Sequence, residues 1–223
     1  PTTAELEVAT VVGRMHFGTS RISFDNAMHH QAMSFANGDD RTVRVLVTPL
    51  NPDKASFKLV SKDAEDSQVW HTHMTGTLRK SGSTSRPAFS TRLIRERCQQ
   101  TLPIADFYDR LNKLGLEYGP GFRGVQELYV GQNETLTKVR LPDGLTNTEY
   151  VMHPAFLDAC LHAYPLVLDG VGKAESDRHQ SYLPISLEGY RCYQDGIDKA
   201  WVHTKLRSVE KDDTQVVDIQ VYD

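Results

Sequence analysis

Cysteine is scarce in this 223-residue chain: Cys98, Cys160 and Cys192 are the only three, and no Cys-x-x-Cys pair occurs. An odd number of widely spaced thiols supports neither a disulfide framework nor a thiolate zinc site. Free cysteines in a reducing cytoplasm are the expectation. Positive charge is not in excess either, with 25 Lys and Arg against 29 Asp and Glu and a net charge of −4. Such a balance gives no basic footprint for nucleic acid and no attraction to an anionic membrane surface. No apolar run approaches the roughly 20 residues that cross a bilayer. The opening PTTAELEVATVV holds two Glu and no basic segment, so it does not read as a secretory signal.

What is present is an ordinary folding composition, 39% hydrophobic and 24% charged. The length suits one large domain or two small ones sharing a core. Pro1 to Gly13 reads as a helix, with proline in the first turn, Glu5 and Glu7 near the positive end, and Gly13 as the stop. Strand-like runs follow at Arg21–Phe24 and Gln31–Phe35. In TVRVLVTP, Val43, Val45 and Val47 alternate with other residues at strand period. ASFKLVS and VWHTHMTGTL continue the series across the polar turn KDAEDS. From Lys80 to Ser90, KSGSTSRPAFS is too small and polar to build a core and reads as linker.

The second half repeats the pattern. Ile104–Leu116 sets Phe107, Leu111 and Leu114 on one helical face. A Gly/Pro-rich turn, YGPGFRG, leads to short strands at Gln126–Val130 and Leu136–Leu141. HPAFLDACLHAYPLVL then begins with His153 at the cap and Pro154 in the first turn, and is apolar over most of its circumference. Strands return in SYLPISLEGYRCY, AWVHTKLRSV and TQVVDIQVYD. Strands with no crossover helices between them should be antiparallel. An antiparallel sheet wrapped around one central helix is a hotdog, and two in tandem make an α+β double hotdog. The expected division is a first hotdog at 1–80, a linker at 81–103 and a second hotdog at 104–223. The first is expected to lack its opening strands and the second its last.

Asp158 and His162 lie four residues apart and share one face of their helix. A carboxylic acid kept neutral by apolar surroundings can protonate a departing hydroxyl. The alternative is a buried aspartate that only bonds backbone. For His162 the choices are orienting Asp158 or filling the core. Other patterns fail on context. Gly119, Gly121 and Gly124 fit G-x-G-x-x-G, but Pro120 interrupts them and a strand follows. Gly172-Lys173 lacks a phosphate loop's leading Gly and its Ser or Thr. His71 and His73 share a strand face, yet no third metal ligand is indicated.

The string His153-Pro154-x-x-x-Asp158-x-x-x-His162 resembles the second catalytic motif of the dehydratase domains of modular polyketide synthases. Tyr118, Gly119, Pro120 and Phe122 resemble that family's Tyr-Gly-Pro-x-Phe turn. Leu183-Pro184 with Glu188-Gly189 resembles its Leu-Pro segment, and Trp70, His71 or His73, and Gly76 its first-hotdog strand. Four motifs in register are specific where one is weak. The resemblance implies dehydration of a 3-hydroxyacyl chain carried on the phosphopantetheine of an acyl carrier protein, with no cofactor or metal of the domain's own. It makes Asp158 the acid, with His162, Tyr118, Gly119, Pro120, Phe122, His153 and Pro154 in support. Phe156, Leu157, Leu183 and Pro184 would line the acyl pocket. Backbone N–H groups at a helix start or in the Gly119–Gly124 turn would polarise the thioester. The family's catalytic base is a histidine in H-x-x-x-G-x-x-x-x-P, of which Pro1 resembles the last residue, so that histidine is expected ahead of it. Neighbouring synthase domains and a second copy of the chain are the other implied partners. An isomerase or cyclase of the same fold, or a silent scaffold domain, are the rival readings.

Overall fold

The computed structural model describes residues 1–35, 40–62, 68–82, 89–168, 183–209 and 214–223. Most of the expected KDAEDS turn, residues 83–88 of the expected linker and the Gly172-Lys173 pair lie outside the described residues. The chain divides into two compact units, Pro1–Arg86 with Leu183–Asp195, and Pro87–Tyr182 with Gly196–Asp223.

In the first unit, helix α1 spans Thr2–Phe17, four residues beyond the Gly13 stop read from the sequence. Gly13 stays helical because it is a packing position. A methyl there would come within 2.7 Å of Ile22 Cδ1 and 3.1 Å of Leu78 Cδ1. The helix ends at Gly18, whose φ of 61° is the left-handed conformation glycine adopts without strain. Thr3, Leu6, Thr10 and Gly13 recur at helical spacing on the buried face. Burying a side chain such as Leu6 contributes about 1.5–3 kcal/mol.

The sheet that receives α1 comprises β1 (Ile22–His29), β2 (Thr42–Asn51), β3 (Lys54–Lys62), β4 (His71–Lys80) and the short β8 (Ser186–Glu188). Its order is β2-β3-β4-β1-β8, and every pairing is antiparallel. Of the runs expected at 21–24 and 31–35, the second forms no strand, whereas the first opens β1, which continues to His29. Its polar Asp25 and Asn26 are accommodated by a bulge, where the register with β4 shifts between Phe24 and Asn26. Asp25 accepts two hydrogen bonds from Arg79, at 2.7 and 2.9 Å, and pairs with Lys54 at 3.0 Å. Phe24 packs edge-on against Phe57 and Tyr190, with centroids 5.6 and 5.5 Å apart. β2 is an edge strand, so most of its side chains are exposed despite their alternation.

The second unit holds β5 (Gln100–Thr101), β6 (Val125–Val130), β7 (Glu134–Arg140), β9 (Lys199–Val209) and β10 (Gln215–Tyr222). Its order is β10-β9-β7-β6-β5, again antiparallel throughout. Helices α2 (Thr91–Arg97), α3 (Ile104–Lys113), α4 (Pro154–Leu161) and α5 (Tyr164–Leu168) pack with these strands. α2 and β5 fall inside the segment expected to be linker. Ser90 caps α2 by accepting the Leu93 N–H at 3.4 Å, and Ile94 and Cys98 fix the helix in a cluster with Tyr129 and Leu136. The long helix read from 153 to 168 is two helices with a break at His162–Ala163. Residues 183–195, expected in the second half, belong to the first unit because β8 pairs with β1.

Candidate active site

α4 owes its start to His153 and Pro154. The His153 Nδ1 accepts the Ala155 N–H at 3.1 Å, and proline occupies a first-turn position where no N–H is needed. The cap is itself held in place: the His153 N–H donates to Asn147 Oδ1 at 3.0 Å, and Asn147 Nδ2 donates to the Ile197 carbonyl at 2.6 Å. Ala155, Phe156, Leu157, Ala159 and Cys160 are buried, which fixes the rotation of the helix and therefore the direction of Asp158.

The four-residue spacing brings Asp158 and His162 together, with His162 Nε2 3.0 Å from Asp158 Oδ2. The His162 side chain is 1% exposed and that of Asp158 17%. Asp158 is thus neither sealed off nor without a partner, as an all-round apolar helix had suggested. Its helix places it at the margin of the core, and His162 reaches it from the next turn.

Three tyrosines surround this pair. The Tyr118 ring lies against His162, centroids 3.9 Å apart, and the Tyr108 hydroxyl is 3.5 Å from His162 Nδ1. Tyr108 also accepts the Val125 N–H at 3.2 Å. Burial, together with the negative charge of Asp158, pushes the Tyr164 hydroxyl up to about 12 and that of Tyr118 higher still. Burial likewise lifts Tyr108 to about 12, against the opposing effects of the Val125 N–H and the Arg123 guanidinium. All three phenols therefore remain protonated donors around neutral pH. Cys160, fully enclosed behind Asp158, is raised by burial as well and is an inert thiol.

The Tyr118-Gly119-Pro120-x-Phe122 segment forms a 3-10 turn over Pro120–Phe122 that packs on α4. Arg123 locks it by donating from Nε to the Tyr118 carbonyl at 2.8 Å. The N–H groups of Phe122, Arg123 and Gly124 donate to carbonyls within the turn. Those of Ala155, Phe156 and Leu157 are taken up by His153. These six N–H groups are thus engaged within the protein in this conformation. Phe156 and Leu157, expected to line the acyl pocket, pack the core in this conformation. Leu183 and Pro184 are exposed and belong to the first unit. There, His73 is buried, 2.7 Å from Ser61 Oγ and 3.1 Å from the Gln31 carbonyl, which makes it a packed residue. Trp70 precedes β4 and is covered by the Arg44 guanidinium at 4.6 Å. Among the described residues no three metal-ligating side chains converge, and no helix is long and apolar enough to cross a membrane.

Tyr108, Tyr164, Arg123 and Asn147 escaped the sequence reading. Tyr108 follows Phe107 on an amphipathic helix and reads as core. Nothing local links it to His162, 54 residues away.

The described residues thus form two antiparallel sheets with few helices, and carry an aspartate–histidine pair among phenols on a largely buried helix. The chain belongs to the polyketide synthase dehydratase family: residues 86–223 match the family described as "Polyketide synthase dehydratase N-terminal domain". Polyketide synthase PksN of Bacillus subtilis is 29% identical over 131 residues, 57% of this chain and 2% of that protein. The spectinabilin synthase protein NorA of Streptomyces orinoci is 31% identical over 137 residues, 56% of this chain and 7% of the relative. The chain thus spans only a small fraction of either relative. The dehydratase domain from the CurJ module of the curacin synthase superposes with a TM-score of 0.84 at 24% identity, covering 100% of this chain and 76% of that one. An inactive Asp-to-Asn mutant of the CurK dehydratase gives 0.84 at 22% identity, covering 100% and 84%.

Proposed function

We propose that this chain forms a double hotdog within a synthase and removes water from a 3-hydroxyacyl thioester carried on the phosphopantetheine arm of an acyl carrier protein. The observation that carries the reading is the Asp158–His162 pair, 3.0 Å apart on a helix whose remaining faces are apolar. Asp158 is the general acid. A base, the histidine that the resemblance implies ahead of Pro1, takes the α-proton, and the pair of electrons becomes the α,β double bond. The C–O bond at the β-carbon breaks while Asp158 delivers its proton to the hydroxyl, which leaves as water. His162 holds the carboxyl group throughout and steadies the carboxylate that results.

That the CurK dehydratase mutant with Asn in place of Asp is inactive supports the assignment by analogy. The test is Asp158→Asn in the intact synthase, with loss of water from carrier-bound substrate read by mass spectrometry. Asparagine fills the same volume but cannot supply a proton, so the rate should fall by about 10²–10⁴ with the fold unchanged by circular dichroism. Parental turnover by the folded variant would make Asp158 structural.

The working form is a cytoplasmic homodimer. The support for pairing is β2, an open sheet edge on which Val43, Leu46 and Leu50 are exposed. Light scattering that finds a monomer at high concentration would remove the dimer.

A further inference from the structure

We infer that Tyr108 is a positioning residue for this chemistry: its hydroxyl holds His162 in the tautomer whose Nε2–H donates to Asp158. This rests on the reading of Asp158 as the acid. The argument follows the hydrogens. The Val125 N–H, a donor only, points at the Tyr108 oxygen at 3.2 Å and occupies an acceptor site. The phenolic hydrogen is then the group available to His162 Nδ1, 3.5 Å away, at the long end for such a bond. A neutral imidazole has one protonated nitrogen. With Nδ1 accepting, the proton is on Nε2, which faces Asp158 Oδ2 at 3.0 Å.

The chain from backbone to acid therefore runs in one direction: Val125 N–H to Tyr108, Tyr108 O–H to His162, His162 N–H to Asp158. Its chemical consequence concerns the proton that Asp158 gives away. A carboxylic acid whose Oδ2 accepts from His162 carries its own proton on Oδ1. The opposite tautomer would set a lone pair of Nε2 against Oδ2, repelling the carboxylate or drawing the acid's proton to the wrong oxygen. Fixing the tautomer thus fixes which oxygen is the donor and how it is turned. The surroundings keep the phenol in place. Tyr108 is 4% exposed, and the Arg123 guanidinium lies 5.3 Å from the centre of its ring while bonding the Tyr118 carbonyl. Burial holds its hydroxyl protonated, with a pKa of about 12, so the donor persists across the working pH range. Tyr118 only stacks on His162, and so constrains its plane but not its proton.

The test has two readings on the intact protein. In ¹⁵N NMR of selectively labelled histidine, His162 should show protonated Nε2 and unprotonated Nδ1. The reverse pattern in the parent protein overturns the inference without any variant. Tyr108→Phe keeps the ring and removes the hydroxyl. It should lower kcat about five- to tenfold, the worth of one orienting bond, leave KM within about twofold, and shift His162 toward a mixture of tautomers. A slower variant with the His162 signature unchanged would mean a merely structural role, and a shifted signature at parental kcat would mean that the tautomer does not matter. Either result sinks the proposal. Asp158→Asn run beside it separates the two ideas. If that variant is inactive while Tyr108→Phe is unaffected, only the positioning role falls. Full activity of Asp158→Asn removes the acid itself.

Discussion

Gly124 lies directly against Ala159, the residue that follows Asp158 on α4. A methyl group on Gly124 would come within 2.8 Å of the Ala159 Cβ and 2.7 Å of the Arg140 carbonyl oxygen. Neither neighbour can swing away, one being a Cβ fixed to helix backbone and the other part of the strand end. The glycine at the end of the Gly119–Gly124 turn therefore sets how closely α4 approaches the strand that precedes it. Gly124→Ala should push α4 outward and cost about 1–3 kcal/mol, the range for overpacking. Because Asp158 rides on that helix, kcat should fall as well. Urea melts and turnover on the same preparation check both effects, and unchanged values in each would show that α4 does not depend on this contact.

Gly76 plays the matching part in the first unit. A Cβ there would collide with the Asn26 carbonyl oxygen and approach Phe57 Cε1 to 2.7 Å. The backbone of β1 cannot yield without breaking its register with β4, in which Gly76 faces Ala27. Gly76→Ala should destabilise by about 2 kcal/mol or more, toward the upper part of the overpacking range. The unfolding midpoint in urea measures it, and a parental midpoint would mean that the strand bulge absorbs the methyl.

Much of this was legible in the sequence, for reasons that can be traced. Period-two alternation marked β2, strand-like runs set off by turns marked β3, β4, β6 and β7, and the four-residue step from Asp158 to His162 gave a contact that the structure contains. What was missed depended on tertiary context. Gly13 and Gly18 are equally good helix stops locally, and only packing on Ile22 and Leu78 shows that the first is interior. Asp25-Asn26 looks like a turn unless the bulge opposite β4 is known. α2 carries four arginine or glutamate residues in seven and offers only Ile94 to the core, so its sequence reads as linker. Strand β8 is three residues long and pairs with a strand some 160 positions earlier, which no periodicity records. Tyr108 reaches His162 across the fold, and nothing in its own helix announces the contact.

His162 should be replaceable where Asp158 is not. Glutamine has an amide N–H that can donate to the carboxyl in place of the imidazole Nε2–H. His162→Gln should keep turnover within about tenfold of the parent, the loss corresponding to roughly one weakened hydrogen bond. His162→Ala removes the donor and empties a fully buried site, so it should lose stability along with rate. Activities of the two variants normalised to folded protein distinguish the cases. A glutamine variant as dead as Asp158→Asn would show that the imidazole itself moves a proton.

Away from Asp158, the second unit is held by a buried carboxylate. Glu134 on β7 accepts from Arg97 at 2.6 and 2.9 Å and from His203 Nε2 at 2.7 Å, joining α2 to two strands. Its side chain is 8% exposed, whereas that of Arg97 is half open to water. The bonds from Arg97 hold the Glu134 carboxyl below its ordinary value of 4.5, against the opposing effect of burial and with further help from His203. The sign follows from linkage. A carboxyl whose pKa is lower in the folded state contributes stability that is present above the unfolded value and lost as pH falls through the folded one. Glu134→Gln keeps the shape and removes the charge, and at pH 7 it should cost about 1.5–3 kcal/mol, the range for bonds to an ionised group. The parental advantage over the variant should hold from pH 7 down to about 5, shrink once the pH passes below 4.5, and vanish where folded Glu134 is protonated. Urea denaturation of both proteins at intervals from pH 7 to 3 traces that difference. A gap that stays constant across the series would mean that Glu134 acts through shape alone and that its charge contributes nothing.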